Sequence, residues 1–244
     1  MLKLIGHEFM VKTRYGNLEP SDQTKQVPQP PLEALYDQVN VIDLPMPEEI
    51  PAITIDFMAA IELRTSVRDY QQIPLSLLEL SFLLWCTQGV KQVLGDKATL
   101  RNVPSAGARH AFETYLLINK VEGIKPGLYR FLALEHKLME VTLTENIAEE
   151  ITSACRGQKF VINSAVTFIW VADAARMTWR YGERGYRYLH LDAGHICQNL
   201  YLAAQVIGCG ACAIAAFDDE LLNEAVGIDG EEQFAVYVGT VGKR

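Results

Sequence analysis

RYLHLDAGHICQNLYLAAQVI, residues 187–207, carries apolar side chains nearly all round a helical wheel and stops at Gly208. A helix of this kind offers water no continuous polar face, so it is expected to be central and buried, with the other elements arranged about it. After it, ACAIAAF (211–217) reads as a short strand and DDELLNEAVG (218–227) as a small helix with Asp218 as N-cap. QFAVYVGTVG (233–242) reads as a last strand. Before it, FVINSAVTFIWVAD (160–173) is a near-continuous run of β-branched and aromatic residues, the mark of a strand covered on both faces. A helix is expected over about 145–155.

Farther upstream, GIKPGLYRFLALEHKLMEV (123–141) has the form of a hairpin, with strands at 127–132 and 137–141 and a turn at Glu135 and His136. ETYLLINKV (113–121) reads as a strand, and KQVLGDKATLRNVPSAGARH (91–110), polar and Gly-rich, as the loop leading into it. PLSLLELSFLLWCTQGV (74–90) opens on Pro74 and Ser76, keeps helical spacing and stops at Gly89. ITIDFMAAIEL (53–63) completes the helices. Helices interleaved with a sheet that contains an antiparallel hairpin define an α+β, or mixed three-layer α/β/α, fold.

Residues 1–52 hold seven of the ten prolines, with VPQPPLE and LPMPEEIP as breakers, and too few apolar residues for a core of their own. They are expected to form an extended arm, with a short helix near 5–14, laid over the domain of residues 53–244 or over a partner. The 244 residues, 49% apolar and 21% charged, suffice for a sizeable core. A net charge of −8 and a pI near 5.2, with no Lys/Arg-rich run, argue against a nucleic-acid binder. There is no uninterrupted apolar run of about 18 residues and no signal-peptide pattern, so no membrane span and a cytoplasmic location are expected. Five scattered cysteines do not suggest a secreted disulfide framework.

Three stretches carry chemistry. In RTSVRDY (64–70), two guanidinium groups flank a hydroxyl, which suits a small phosphate, although the same residues also suit a solvated basic turn. In VPSAGARH (103–110), small residues allow the backbone to approach a planar ring and Ser105 can bond its edge; a plain Gly turn has the same composition. IGCGACAIAAFDD (207–219) is equally bare, and close helix–strand packing accounts for it as well. His190 and His195, five apart on a helix, are splayed, so no metal is expected. Cys209 and Cys212 form a CxxC between apolar elements, an unfavourable setting for a redox pair. The chain lacks G-x-S-x-G, G-x-G-x-x-G and the P-loop signature.

The ordered series RTSVRDY, PSAGARHAFETYLLI, GLYRF, YLHLDAGHICQNLYLAAQVIGCGACAIAAFDD and VGTVGKR resembles the FMN-dependent nitroreductase superfamily, over about residues 55–244. It most resembles the SagB-type, azoline-oxidising dehydrogenase branch. The resemblance implies a central, mostly antiparallel sheet flanked by helices, in an intertwined homodimer with FMN at the subunit interface. It implies that Arg64, Thr65 and Ser66 lie on the phosphate and ribityl side, and that Arg68 faces the N1–C2 edge of the ring. A fixed guanidinium there lowers the cost of negative charge on the reduced flavin. Pro104, Ser105, Ala106 and Gly107 match the family's Pro-Ser loop, with Ala108 where relatives carry Asn, Arg109 as its possible substitute, and Ala111 where they carry Pro.

Ala213, Ile214, Ala215 and Ala216 would lie along the flavin, with an Ala215 or Ala216 amide donating to N5 or O4. Lys243 and Arg244 are the candidates for basic residues returning to the phosphate. The arm could wrap the other subunit, and Trp85 and Gln88 could line its pocket. Tyr186, Tyr188, Asp192 and His195, near the start of the central helix, are candidate proton donors or substrate contacts, with hydrogen-bonded core roles as the alternative for Asp192 and His195. The implied function is ping-pong hydride transfer through flavin N5, from NAD(P)H to a small-molecule acceptor. The alternatives are oxidation of a thiazoline or oxazoline in a modified peptide, and a non-catalytic flavin-binding or storage protein.

Overall fold

The computed structural model describes residues 4–36, 40–50 and 54–244. Nine strands are present among the described residues: β1 (Val41–Asp43), β2 (Val90–Leu94), β3 (Ala98–Arg101), β4 (Phe112–Ile118), β5 (Gly127–Leu132), β6 (Lys137–Thr142), β7 (Val166–Asp173), β8 (Cys209–Ile214) and β9 (Gln233–Lys243). Seven of them form one sheet in the order β1-β6-β5-β4-β7-β9-β8, and every neighbouring pair is antiparallel. The helices are α1 (Ile5–Lys12), α2 (Phe57–Leu63), α3 (Leu77–Gln88), α4 (Ile147–Ala154), α5 (Phe160–Asn163), α6 (Ala174–Tyr181), α7 (Gly185–Val206) and α8 (Asp219–Val226).

The sheet is covered on both faces because its central strands alternate between two apolar clusters. Leu116, Ile118, Phe168 and Trp170 pack with Leu80 and Leu83 of α3 and Leu189, Ile196 and Leu200 of α7. Their chain neighbours Leu117, Ile169 and Val171 pack on the opposite face with Ile147 and Ile151 of α4 and Leu222 and Val226 of α8. This period of two within an unbroken apolar run gives the expected three-layer α/β/α arrangement. Ser76 caps α3 in a capping box with Glu79, and Asp218 caps α8 by accepting from Leu221 N at 3.1 Å.

Three local expectations are corrected. Residues 91–110 are not one loop, because 90–101 form the β2–β3 hairpin about Gly95. Its pattern is inverted: Thr99 and Arg101 are buried while Val93, Leu94 and Leu100 are exposed, so polarity conceals the strands. Residues 160–173 are not one strand, since α5 precedes β7. Ser164 ends the helical turn by donating to Val161 O at 2.8 Å and pairing with Thr167 Oγ1 at 3.0 Å. Third, α7 is buried on one side only. Its opposite stripe, His190, Leu191, Gly194, His195 and Gln198, is exposed, and Leu191 is 58% accessible. Helix α2 beside it exposes Phe57 and Met58.

The described part of the arm lies on its own chain rather than extending away from it. Strand β1 adds an edge to β6, and Gln29 Nε2 donates to the carbonyls of Asp96 and Lys97 at 3.0 and 3.1 Å. Glu33 Oε1 accepts from Ala133 N at 2.6 Å, and Ala34 N donates to the buried Glu113 at 2.8 Å. Glu113 is itself paired with Arg176 at 2.6 Å. The expected boundary at residues 52–53 falls outside the described residues.

Candidate functional site

Residues 64–70 leave α2 and run along the open edge of β8. Ser66 pairs in parallel with Ala211, Val67 N donates to Ala211 O at 2.9 Å, and Gln71 N donates to Lys243 O at 2.9 Å. The seat is made of two glycines paired across β8 and β9, Gly210 and Gly242. A Cβ on Gly210 would stand 2.5 Å from Val67 Cβ, and one on Gly242 2.8 Å from the Tyr70 ring. Tyr70 is buried and fastens the end of the stretch, its hydroxyl 2.7 Å from Val67 O and 2.7 Å from Thr240 Oγ1. Burial raises the Tyr70 pKa, so the hydroxyl stays protonated.

Thr65, Ser66 and Arg68 are exposed, and among the described residues neither Arg64 nor Arg68 has a carboxylate within ion-pair distance. The two guanidinium groups do not close on one point. Arg64 lies 5.4 Å over the Tyr201 ring of α7, whereas Arg68 lies 6.0 Å over Phe160 of α5, on the other side of the sheet. Tyr201 joins the first half of the site: its hydroxyl is 3.0 Å from Ser66 Oγ and accepts from Ala213 N at 2.8 Å. Beyond Ala213 and the buried Ile214 the backbone is open. Ala215 and Ala216 are exposed, and no group among the described residues accepts from their N–H groups. Nothing in the sequence singles out Tyr201, because a hydroxyl on an otherwise apolar helix has the pattern of core filling.

The Pro-Ser loop is fixed from beneath. Ser105 Oγ accepts from His110 N at 2.9 Å, and Ala106 N donates to Asp192 Oδ1 of α7 at 3.3 Å. Asp192 is buried with Oδ2 unpartnered; burial raises its pKa, against hydrogen bonds from Ser105 and Ala106. Pro104 and Gly107 are exposed, with Gly107 at φ 57° against the Tyr181 hydroxyl. Arg109 does not replace the family's Asn as a ring contact. It is buried, and it donates to Gly107 O at 3.1 Å and Lys97 O at 2.7 Å beneath the Trp179 ring. Trp179 in turn donates to Val27 O of the arm at 2.8 Å. Ala111 is fully buried at the start of β4.

The family model described as "Nitroreductase family" matches residues 61–243. The chain belongs to the nitroreductase family. A putative nitroreductase of Methanocaldococcus jannaschii is 34% identical over 181 residues, 74% of this chain and 87% of that protein. The trifolitoxin-processing protein TfxB of Rhizobium leguminosarum bv. trifolii is 29% identical over 131 residues, 52% of this chain. The chain spans only 35% of TfxB's length. A solved nitroreductase-family structure from Ralstonia eutropha superimposes with a TM-score of 0.68 at 25% identity, covering 88% of this chain and 98% of its own. Family membership makes the protein an oxidoreductase.

The remaining candidate residues are distributed across the fold. Lys243 is paired with Glu79, and Arg244 donates to Cys209 O at 3.1 Å and to Gln205, one turn beyond Tyr201 on α7. Tyr186 stacks on Phe234 at 6.2 Å, and Tyr188 is bound to Arg184 Nε at 2.7 Å and Tyr15 at 3.0 Å. His195 stands on the exposed stripe of α7. Gln88 is buried, accepting from Arg101 at 3.1 Å, while Trp85 lines an apolar cleft with Phe82 and Leu202. Burial pushes Cys209 up to about 11 and Cys197 up to about 12, so both thiols stay protonated at neutral pH.

Nine residues separate Asp192 from Tyr201. At about 100° per residue they stand on opposite faces of α7, roughly 13 Å apart along its axis. The Pro-Ser loop and the Arg64–Ser66–Ala213 group therefore belong to different sides of one chain.

Proposed function

We propose that the protein is an FMN-dependent oxidoreductase whose two half-sites are joined between two copies of the chain. The observation that carries this reading is the meeting of Ser66 and Ala213 at the Tyr201 hydroxyl, beside the half-buried Arg64 guanidinium, which has no carboxylate within ion-pair distance among the described residues, and a bare strand end with free N–H donors. Charge, hydroxyl and backbone donors are what a phosphorylated planar heterocycle needs, and the Gly and Ala residues leave room for it. Arg64 and Ser66 would hold the phosphate, with Thr65 beside them, and Arg68 would set a positive charge near the N1–C2 edge. The N–H groups of Ala215 and Ala216 would donate to the ring. Pro104, Ser105, Ala106 and Gly107 would come from the second copy, because Asp192 beneath them and Tyr201 beside Ser66 stand on opposite faces of α7. The uncovered stripe of α7 and the apolar face of α2 give that copy a surface to cover.

FMN held by Arg64, Ser66 and the Ala215–Ala216 backbone would supply hydride-transfer chemistry between a donor such as NAD(P)H and a small-molecule acceptor. The chain's own residues bind, orient and balance charge; no side-chain nucleophile is required. The likeness to trifolitoxin-processing TfxB favours, as a second reading, oxidation of an azoline in a modified peptide. The test is the visible spectrum after reconstitution with FMN, followed by stopped-flow mixing with NADH and NADPH. Binding with rapid bleaching is expected. A protein that binds no flavin refutes the reading, and one whose flavin no donor bleaches is a binding protein only.

A further inference from the structure

The hydrogen bonds at Tyr201 have a direction. Ala213 N–H can only donate, so at 2.8 Å the Tyr201 oxygen accepts. The tyrosine's single proton is then available to Ser66 Oγ at 3.0 Å. A serine that accepts from Tyr201 has its own proton free, and Ser66 is exposed beside Arg64, which lies over the same ring. We propose that Tyr201 is a positioning residue that orders the relay Ala213 N–H to Tyr201 O–H to Ser66 O–H, so that the serine proton points outward to the flavin phosphate.

Each bond in such a chain polarises the next, so the outermost hydroxyl is a better donor to an anion than an isolated serine. The same side chain ties the phosphate end of the site to the strand that continues to Ala215. It also places Arg64 by cation–π contact. Tyr201 is half-buried and touches both groups without itself needing to contact the ligand. This inference rests on the FMN reading above, and its test separates the two.

The experiment compares FMN with riboflavin, which lacks the phosphate, in titrations of the full chain carrying Tyr201→Phe, Ser66→Ala, both, or Arg64→Ala. A hydrogen bond to a charged group is worth roughly tenfold or more in affinity, so each single variant is expected to lower the FMN-to-riboflavin preference about tenfold. Riboflavin affinity should be nearly unchanged. The double variant should be no worse than Ser66→Ala alone, because both act through one proton. A merely structural role for Tyr201 would weaken both ligands equally, and that result overturns the proposal. If Ser66→Ala lowers the preference and Tyr201→Phe does not, the relay is refuted while the phosphate site stands. If Ser66→Ala, Arg64→Ala and Tyr201→Phe all leave the preference untouched, the phosphate reading falls and the relay with it.

Discussion

Replacing Gly210 by Ala should dislodge the segment that carries Ser66 and Arg68 without touching either residue. Gly210 has no left-handed φ, so the substitution costs nothing in backbone conformation and acts by volume alone. The new Cβ would meet Val67 Cβ at 2.5 Å, Cγ2 at 2.6 Å and Cγ1 at 2.8 Å. Ordinary contact at about 3.5–4.0 Å requires the strand-like segment to retreat by roughly 1 Å. The retreat strains the bond from Val67 N to Ala211 O, now 2.9 Å, and moves Ser66 from Tyr201. Overpacking of this kind costs about 1–3 kcal/mol, which for a chain of this size lowers Tm by several degrees. FMN affinity should fall about tenfold to a hundredfold, since a hydrogen bond to a charged group is worth ~1.5–3 kcal/mol. The assay is FMN titration by flavin fluorescence beside thermal unfolding of the apoprotein. Val67→Gly in the same chain removes the opposing Cβ and should restore part of the affinity. A folded Gly210→Ala protein that binds FMN as tightly as the parent would show that the seat does not position the site.

Arg68→Ala should keep FMN through Arg64 and Ser66 but lower the flavin reduction potential, measured against a reference dye; an unchanged potential would mean that Arg68 does not face the N1 edge. Leu191→Arg puts a charge on the exposed stripe of α7 and should yield a monomer by light scattering, with weakened FMN binding; a monomer with parental affinity would refute the two-copy site. Burial pushes His110 down to about 3, so it stays neutral in the native state while the unfolded chain takes up a proton below about pH 6.5. Stability should therefore fall as pH falls from about 6.5 toward 3, by up to ~1.4 kcal/mol per pH unit for this one group. His110→Gln should flatten that acid limb in urea unfolding at pH 7 and pH 5, and an equal slope in both proteins would contradict the burial argument.

How much of this was legible depended on whether a feature is local. Capping by Ser76 and Asp218, the two-faced alternation of Thr167 to Val171, and the spacing of Arg64, Ser66 and Arg68 are written in adjacent residues, and the structure keeps them. The β2–β3 hairpin was illegible because its apolar residues Val93, Leu94 and Leu100 are exposed while Arg101 and Thr99 face in. Arg109 offers itself as a substitute for the family's Asn in sequence because its acceptors, Lys97 O and Gly107 O, and its stacking partner Trp179 come together only in the fold. Tyr201 was silent for the same reason: its meaning lies in Ser66, far upstream, and in an amide of β8.

The central helix shows why hydrophobicity and burial are separate statements. Its wheel is apolar nearly all round, which predicts burial on all sides, yet in one chain the stripe through Leu191 and His195 is bare. The stripe mixes His190, His195 and Gln198 with Leu191, so its exposure in one chain follows from its own residues, and Leu191 with Phe57 and Met58 of α2 is what remains for another chain to cover. The position of the stripe adds a constraint, because Asp192 beneath the Pro-Ser loop and Tyr201 beside Ser66 stand on opposite faces of the same helix. A second copy packed on that stripe would remove apolar surface from water and bring its own loop to the other chain's strand in one step. On that argument, association and cofactor binding are linked: FMN should stabilise the two-copy form, and dilution that separates the copies should release FMN. Sedimentation of the reconstituted protein across a dilution series, read at the flavin band, would expose the error if monomer sediments with its flavin still bound.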